Sequence, residues 1–295
     1  METAGLIKLL NVVALVVLML SIGLTVQPAQ VLVAARQVRL VLLGVLANFV
    51  LTPLITVGLL VAFDAVPLVA AGFLILAVCP GAPVGPTFTG IARGDVAAAT
   101  GLMVILAGLS AILTPLLLTV LLGWLAPGSD LRIDFVAITA TLLVTQLLPL
   151  AVGLTLHHAA PHWSARAARP FRLTANLLLL VVVALILASQ YPTLGAIRPR
   201  GWFGMLLLLA ASLGIGWLCG GPGPATRRAL AVTTGVRNAA VGLVIAGDNF
   251  AGTPAVTAVV AYALVSIFGT LGCAFWLGRS TPENLSATVP GGSTR

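Results

Sequence analysis

Nine stretches of this 295-residue chain are each long and apolar enough to cross a bilayer: residues 5–26, 37–63, 66–93, 95–125, 133–157, 171–190, 201–220, 225–250 and 254–278. A spanning helix needs about 20 predominantly apolar residues. In hydrocarbon, only helices and closed barrels satisfy every backbone N–H and C=O. Long continuous apolar runs select helices, so the chain reads as an all-α polytopic membrane protein. Only 7% of its residues are charged and 60% are hydrophobic, whereas about a quarter of a soluble domain is charged. The apolar run after Lys8 exceeds the roughly 7–15 residues of a signal-peptide core and reads as a span. Residues 1–279 form one transmembrane domain, and 280–295, rich in Ser, Thr, Pro and Gly, are expected to be a disordered tail.

Nine spans put the chain ends on opposite faces. The face of the carboxyl end carries ten arginines (Arg36, Arg39, Arg93, Arg166, Arg169, Arg172, Arg227, Arg228, Arg279 and Arg295) against Lys8, Arg132, Arg198 and Arg200 on the other. Basic residues favour the cytoplasm, so the amino end is expected outside and the carboxyl end inside a cell (inner) membrane. The net charge of +8 is spread over short loops. It orients the chain in its lipid partner and gives no reason to expect nucleic acid.

Two windows are interrupted in a matching way. Pro80, Gly81, Pro83, Gly85 and Pro86 cannot continue a helix through 66–93, because proline removes donors and clashes with preceding carbonyls. Window 225–250 carries Gly235 beside Arg237 and Asn238. One full span follows each interruption, which divides the chain into halves of about 5–125 and 133–278. Paired broken helices in corresponding positions are the mark of an inverted-repeat secondary transporter, with its site where half-helix ends meet. Taken alone, the interruption in 225–250 is equally a kinked helix of the kind membranes tolerate.

Arg237 is the one charge set deep within a window. A guanidinium at a helix centre costs about 2.5–3.5 kcal/mol on insertion scales, so it must meet water, an anion or unpaired carbonyls. Catalytic chemistry finds little material elsewhere. There is no Gly-x-Ser-x-Gly or His-Glu-x-x-His, and Lys8 is the sole lysine. The seven acids, Glu2, Asp64, Asp95, Asp130, Asp134, Asp248 and Glu283, all fall at loops, segment ends or tails, away from any midplane proton relay. Cys79, Cys219 and Cys273 stand singly in apolar segments and suggest neither a disulfide nor a metal site. His157, His158 and His162 read as solvated interface residues, so no metal or cofactor is expected.

Several elements, in order, resemble the bile acid:sodium symporter family of organic-anion transporters. Ser21 to Val26 looks like its Met-Gly-Leu-Thr element, and Asn48-Phe49-Val50-Leu51-Thr52-Pro53-Leu54 is similar to Gln-Phe-x-x-x-Pro-Leu. Cys79 to Pro86, leading into Ile91-Ala92-Arg93-Gly94-Asp95, resembles Cys-Pro-Gly-Gly-x-x-Ser-Asn and Leu-Ala-x-Gly-Asp. Leu113 to Leu117, Leu147 to Leu154, and Thr233 to Ala240 against Glu-x-Gly-x-Gln-Asn also fit. The resemblance implies a core domain with two crossing broken helices beside a panel domain, here in a nine-helix form lacking the first helix.

The departures concern the cation. Where the family places sodium ligands, this chain has Thr233 for a glutamate, Arg237 for a glutamine, and Gly85 and Pro86 for a serine and an asparagine. The hydroxyl positions fall on Met103, Leu106 and Ala107, while Asn48 and Asn238 keep an amide. A guanidinium near the family's sodium position would act as a built-in cation, bonding free carbonyls of the broken helices or facing an anion as well. The expected function is secondary transport of a small organic anion by alternating access, independent of sodium. Expected substrate-binding residues are Arg237, Asn238, Thr233, Thr234, Asn48, Thr87 and Thr89, with Pro80, Gly81, Pro83, Gly85, Pro86 and Gly235 at the helix crossing. The alternatives are a non-transporting sensor of the same fold or an intramembrane enzyme.

Overall fold

The computed structural model describes residues 2–125, 134–195 and 197–279, and among these every regular element is helical. The tail 280–295, with Arg295, and the loop carrying Arg132 lie outside the described residues. In chain order the helices are α1 (Glu2–Thr25), α2 (Pro28–Arg36), α3 (Val38–Val45), α4 (Thr52–Ala62), α5 (Pro67–Ala77) and α6 (Gly85–Ile91). Then come α7 (Val96–Leu125), α8 (Phe135–Leu142), α9 (Leu148–Ala159), α10 (Pro161–Ser189) and α11 (Tyr191–Gly195). Last are α12 (Pro199–Cys219), α13 (Pro224–Gly235), α14 (Ala239–Asn249) and α15 (Pro254–Arg279).

Eight helical stretches among the described residues are long and apolar enough to span: Gly5–Thr25, Val38–Ala62, Val96–Leu125, Phe135–Ala159, Pro161–Ser189, Pro199–Cys219, Pro224–Asn249 and Pro254–Arg279. The window 66–93 is not among them because it is split. Its first piece, α5, has 11 residues, or about 16 Å, half of a roughly 30 Å hydrocarbon core. Residues 78–84 are not helical, and seven-residue α6 resumes at Gly85.

Three features were not foreseen from hydropathy. Residues 28–36 form α2, started by Pro28 in its first turn and anchored by buried Ala34 against Gly101 of α7, where a side chain would collide with the Ala34 methyl. Helix α10 begins at Pro161, ten residues before the apolar window, and its extension carries exposed Arg166 and Arg169. The helices around residues 46–51 and 143–147 widen into π turns just before Pro53 and Pro149. Each proline lacks the N–H that would return to a carbonyl four residues back, and a π turn absorbs the mismatch.

Small residues set the close contacts, as expected where lipid offers helices no hydrophobic drive to associate. Gly23 of α1 and Gly153 of α9 face each other across a backbone contact, and α1 also lies along α10. Gly72 of α5 touches the Ala255 carbonyl of α15, and Gly216 of α12 meets Leu230 and Ala231 of α13. The broken pair α13–α14 is the centre of the molecule. Its spanning window is wholly buried, whereas no other window exceeds 50%.

Candidate functional site

The two interruptions meet. Helix α13 ends at Gly235, Val236 is extended (φ −93°, ψ 136°), and α14 begins at Ala239. Asn238 spans the gap to the other break: its backbone N–H donates to the Cys79 carbonyl at 2.9 Å, and its Nδ2 donates to the Gly81 carbonyl at 3.4 Å. Its Oδ1 accepts from the Val241 N–H at 3.3 Å, capping α14. Side-chain capping of this kind meets one of the four orphan donors of a helix start. Gly81 adopts φ +82°, and a Cβ there would press 2.8 Å from the Ala107 nitrogen of α7, so both its conformation and its space require glycine. Thr114 of α7 donates to the Val78 carbonyl. The carbonyls of residues 77, 78, 79 and 81 therefore each find a donor, which answers how an unwound segment persists in hydrocarbon.

Arg237 supplies the donor for Ala77. Its Nη1 donates to Asn48 Oδ1 at 3.1 Å and to the Ala77 carbonyl at 3.3 Å, while the residue is 1% exposed. Ala77 is the last residue of α5, where terminal carbonyls carry the negative end of the helix dipole and favour a cation. Asn48 sits on the π turn before Pro53, and its Nδ2 bonds the Gly44 carbonyl (2.9 Å) and Thr234 Oγ1 (3.2 Å). Arg237 Nε and Nη2 have no protein partner, and fully buried Tyr262 lies nearby with its hydroxyl beside Ser212.

The structure thus brings Arg237, Asn238, Asn48 and Thr234 together, with Pro80, Gly81 and Pro83 in the facing segment. Gly85, at the start of α6, is in contact range of Val236, and Pro86 sits in the same first turn. At Gly235 a Cβ would fall 2.5 Å from Leu213 and 2.9 Å from Thr270 Oγ1, so its absence lets α13 end against α12 and α15. The other threonines differ. Thr233 is buried and spends its hydroxyl on the Ala229 carbonyl at 2.7 Å, within its own helix. Thr89 lies beside Gly94 and Arg228, near Ala229, eight residues and about 12 Å of helix from Arg237. Thr87, also on α6, is exposed.

Sequence reasoning overlooked Tyr262 and Gln146. Gln146, on the π turn before Pro149, is fully buried and donates to the Ala107 carbonyl and to Ser110 Oγ at 2.9 Å. Its signal was available: an amide inside an apolar run shortly before a proline, as at Asn48. His157 Nδ1 bonds the Leu24 carbonyl at 2.8 Å and ties α9 to the end of α1. Among the described residues, no three His, Cys, Asp or Glu side chains gather in a way that could hold a metal.

A family model described as the Sodium Bile acid symporter family matches residues 12–196. The chain belongs to that family. It is 27% identical over 272 residues to a protein of Oryza sativa subsp. japonica named probable sodium/metabolite cotransporter BASS2, chloroplastic, covering 90% of this chain. The chain spans 64% of that relative's length. It is 23% identical to the uncharacterized sodium-dependent transporter YocS of Bacillus subtilis (strain 168), over 88% of this chain and 80% of that one. The family-model match ends before α12, so the likeness over α12 to α15, with Arg237, rests on the two pairwise similarities.

Proposed function

We propose that this multi-pass membrane protein is a secondary transporter of small organic anions in which Arg237 stands as a fixed cation at the helix crossing. The observation that carries the reading is the division of labour within one guanidinium. Nη1 holds the scaffold through Asn48 and Ala77, while Nε and Nη2 remain without protein partners. Those two nitrogens form one edge of the planar fork, the edge that matches a carboxylate with two parallel N–H···O bonds. With the guanidinium 1% exposed, substrate reaches that edge only when the two halves of the chain shift, in keeping with alternating access between faces. Both relatives are named for sodium; here the fixed charge makes a sodium ion unnecessary at the crossing. The carboxyl end faces the cytoplasm of an inner membrane, as the distribution of arginines indicates.

The test is uptake of labelled mono- and dicarboxylates into proteoliposomes. Wild type should accumulate or exchange at least one. Arg237→Lys, which keeps the charge but loses the fork, should lose at least tenfold in rate. Unchanged uptake by Arg237→Lys would refute the assigned edge. Saturable binding without any flux would favour the sensor.

A further inference from the structure

A second polar feature lies away from the crossing. A cavity of about 540 Å³ opens between α4, α5 and α12 at the membrane face bearing Asp64 and Arg198, a volume within the about 300–1,000 Å³ of small-molecule sites. Its walls are apolar, chiefly Leu59, Leu60, Phe63, Val69, Phe73 and Leu208. Leu208 lies ten residues into α12 from Arg198, so the cavity descends about 15 Å below its rim. Phe73 packs against Tyr262 with ring centroids 5.6 Å apart and planes tilted by 49°.

The rim is cationic. Arg200 is held in place over the Phe63 ring, 5.3 Å from its centroid, with Nη2 3.4 Å from the Ala62 carbonyl. Arg198 has no side-chain partner among the described residues and stands at the N-cap position of α12, whose dipole adds positive potential. Asp64, in a left-handed conformation (φ 49°) just after α4, pairs with neither arginine, so the rim keeps a net charge of +1. Charge at the mouth over an apolar shaft is complementary to an amphipathic anion.

We infer that this cavity is a separate ligand site for an amphipathic monoanion of the medium-chain carboxylate class, with its headgroup between Arg198 and Arg200 and its tail along Phe63, Val69, Phe73 and Leu208. It does not depend on the reading of Arg237, and its failure would leave that reading intact. The probe is decanoate, with decanol as the uncharged control, added to the full-length protein in zwitterionic lipid nanodiscs. Decanoate should raise Tm saturably and decanol should not. Arg198→Gln with Arg200→Gln should weaken binding at least tenfold, and the corresponding lysine pair should retain most of it. If the double variant fails to fold, each single variant should still lose several-fold. A diazirine-bearing decanoate should label within residues 56–73 and 198–208. Wild-type affinity in the glutamine variants, or labelling elsewhere alone, would overturn the site. So would labelling of the same residues by a diazirine phospholipid that decanoate fails to displace, which would assign the cavity to a lipid chain.

Discussion

Sodium should not bind at the helix crossing, and the structure gives the size of the effect. An ion there would have to draw on oxygens at the two breaks, and Asn48 Oδ1 and the Ala77 carbonyl already receive Arg237 Nη1 at 3.1 and 3.3 Å. A sodium ion sharing them would lie within about 5 Å of the guanidinium. At that separation and an effective dielectric of about 20, the repulsion is about 3 kcal/mol, more than a hundredfold in affinity. Nothing offsets it locally, because the Thr233 hydroxyl is committed to the Ala229 carbonyl at 2.7 Å and carries no charge. Binding of radiolabelled sodium to purified protein, read by scintillation proximity, needs no known substrate. Thr233→Glu with Arg237→Gln should create saturable sodium binding, and wild type should bind at least about a hundredfold more weakly. Wild-type affinity within tenfold of the double variant would refute the account of Arg237 as a built-in cation.

Gly72→Val should cost about 1–3 kcal/mol by overpacking, since a Cβ there collides with the Ala255 carbonyl and the Ala258 methyl, while Gly214→Ala, with open space, should be nearly neutral. Thermal unfolding in detergent ranks the two, and equal melting would contradict the α5–α15 contact. Asn238→Leu should lose about 0.5–2 kcal/mol from the α14 cap alone, with Asn238→Asp retaining that share; a leucine variant as stable as wild type would count against the bridge between the breaks. Lys8 Nζ lies 2.9 Å from Asp248 Oδ1. Single cysteines at 8 and at 248 in an otherwise cysteine-free chain should therefore lie on the same face, and an impermeant thiol reagent should reach each from outside the cell. Labelling from the cytoplasm only would reverse the assigned orientation.

Much of this architecture is legible in the sequence because hydrocarbon is an unforgiving solvent. Apolar runs mark the spans, the prolines at 80, 83 and 86 mark one break, and an arginine amid valines and alanines marks the other. What escapes is whatever uses backbone rather than side chain. The acceptor for Arg237 is the carbonyl of Ala77, which any residue at 77 would present, and the π turn at Asn48 depends on a proline five residues on. Thr89 shows the reverse limit: it is near the break in sequence, but α6 carries it beside Gly94, Arg228 and Ala229, away from Arg237. Helix α2 was hidden because an interfacial helix need not meet any threshold of length or hydropathy.

The burial of the central stretch of α13–α14 has a consequence for biogenesis. This stretch has the lowest mean hydropathy of the eight spanning helices, 1.5, and contains Arg237, so it is the one least able to enter lipid unaided. Both groups that receive its guanidinium, the Asn48 amide and the Ala77 carbonyl, come earlier in the chain and are synthesised first. The ribosome therefore delivers the most reluctant helix last but one, when its hydrogen-bonding partners are already in place. The order of the segments serves as an assembly schedule.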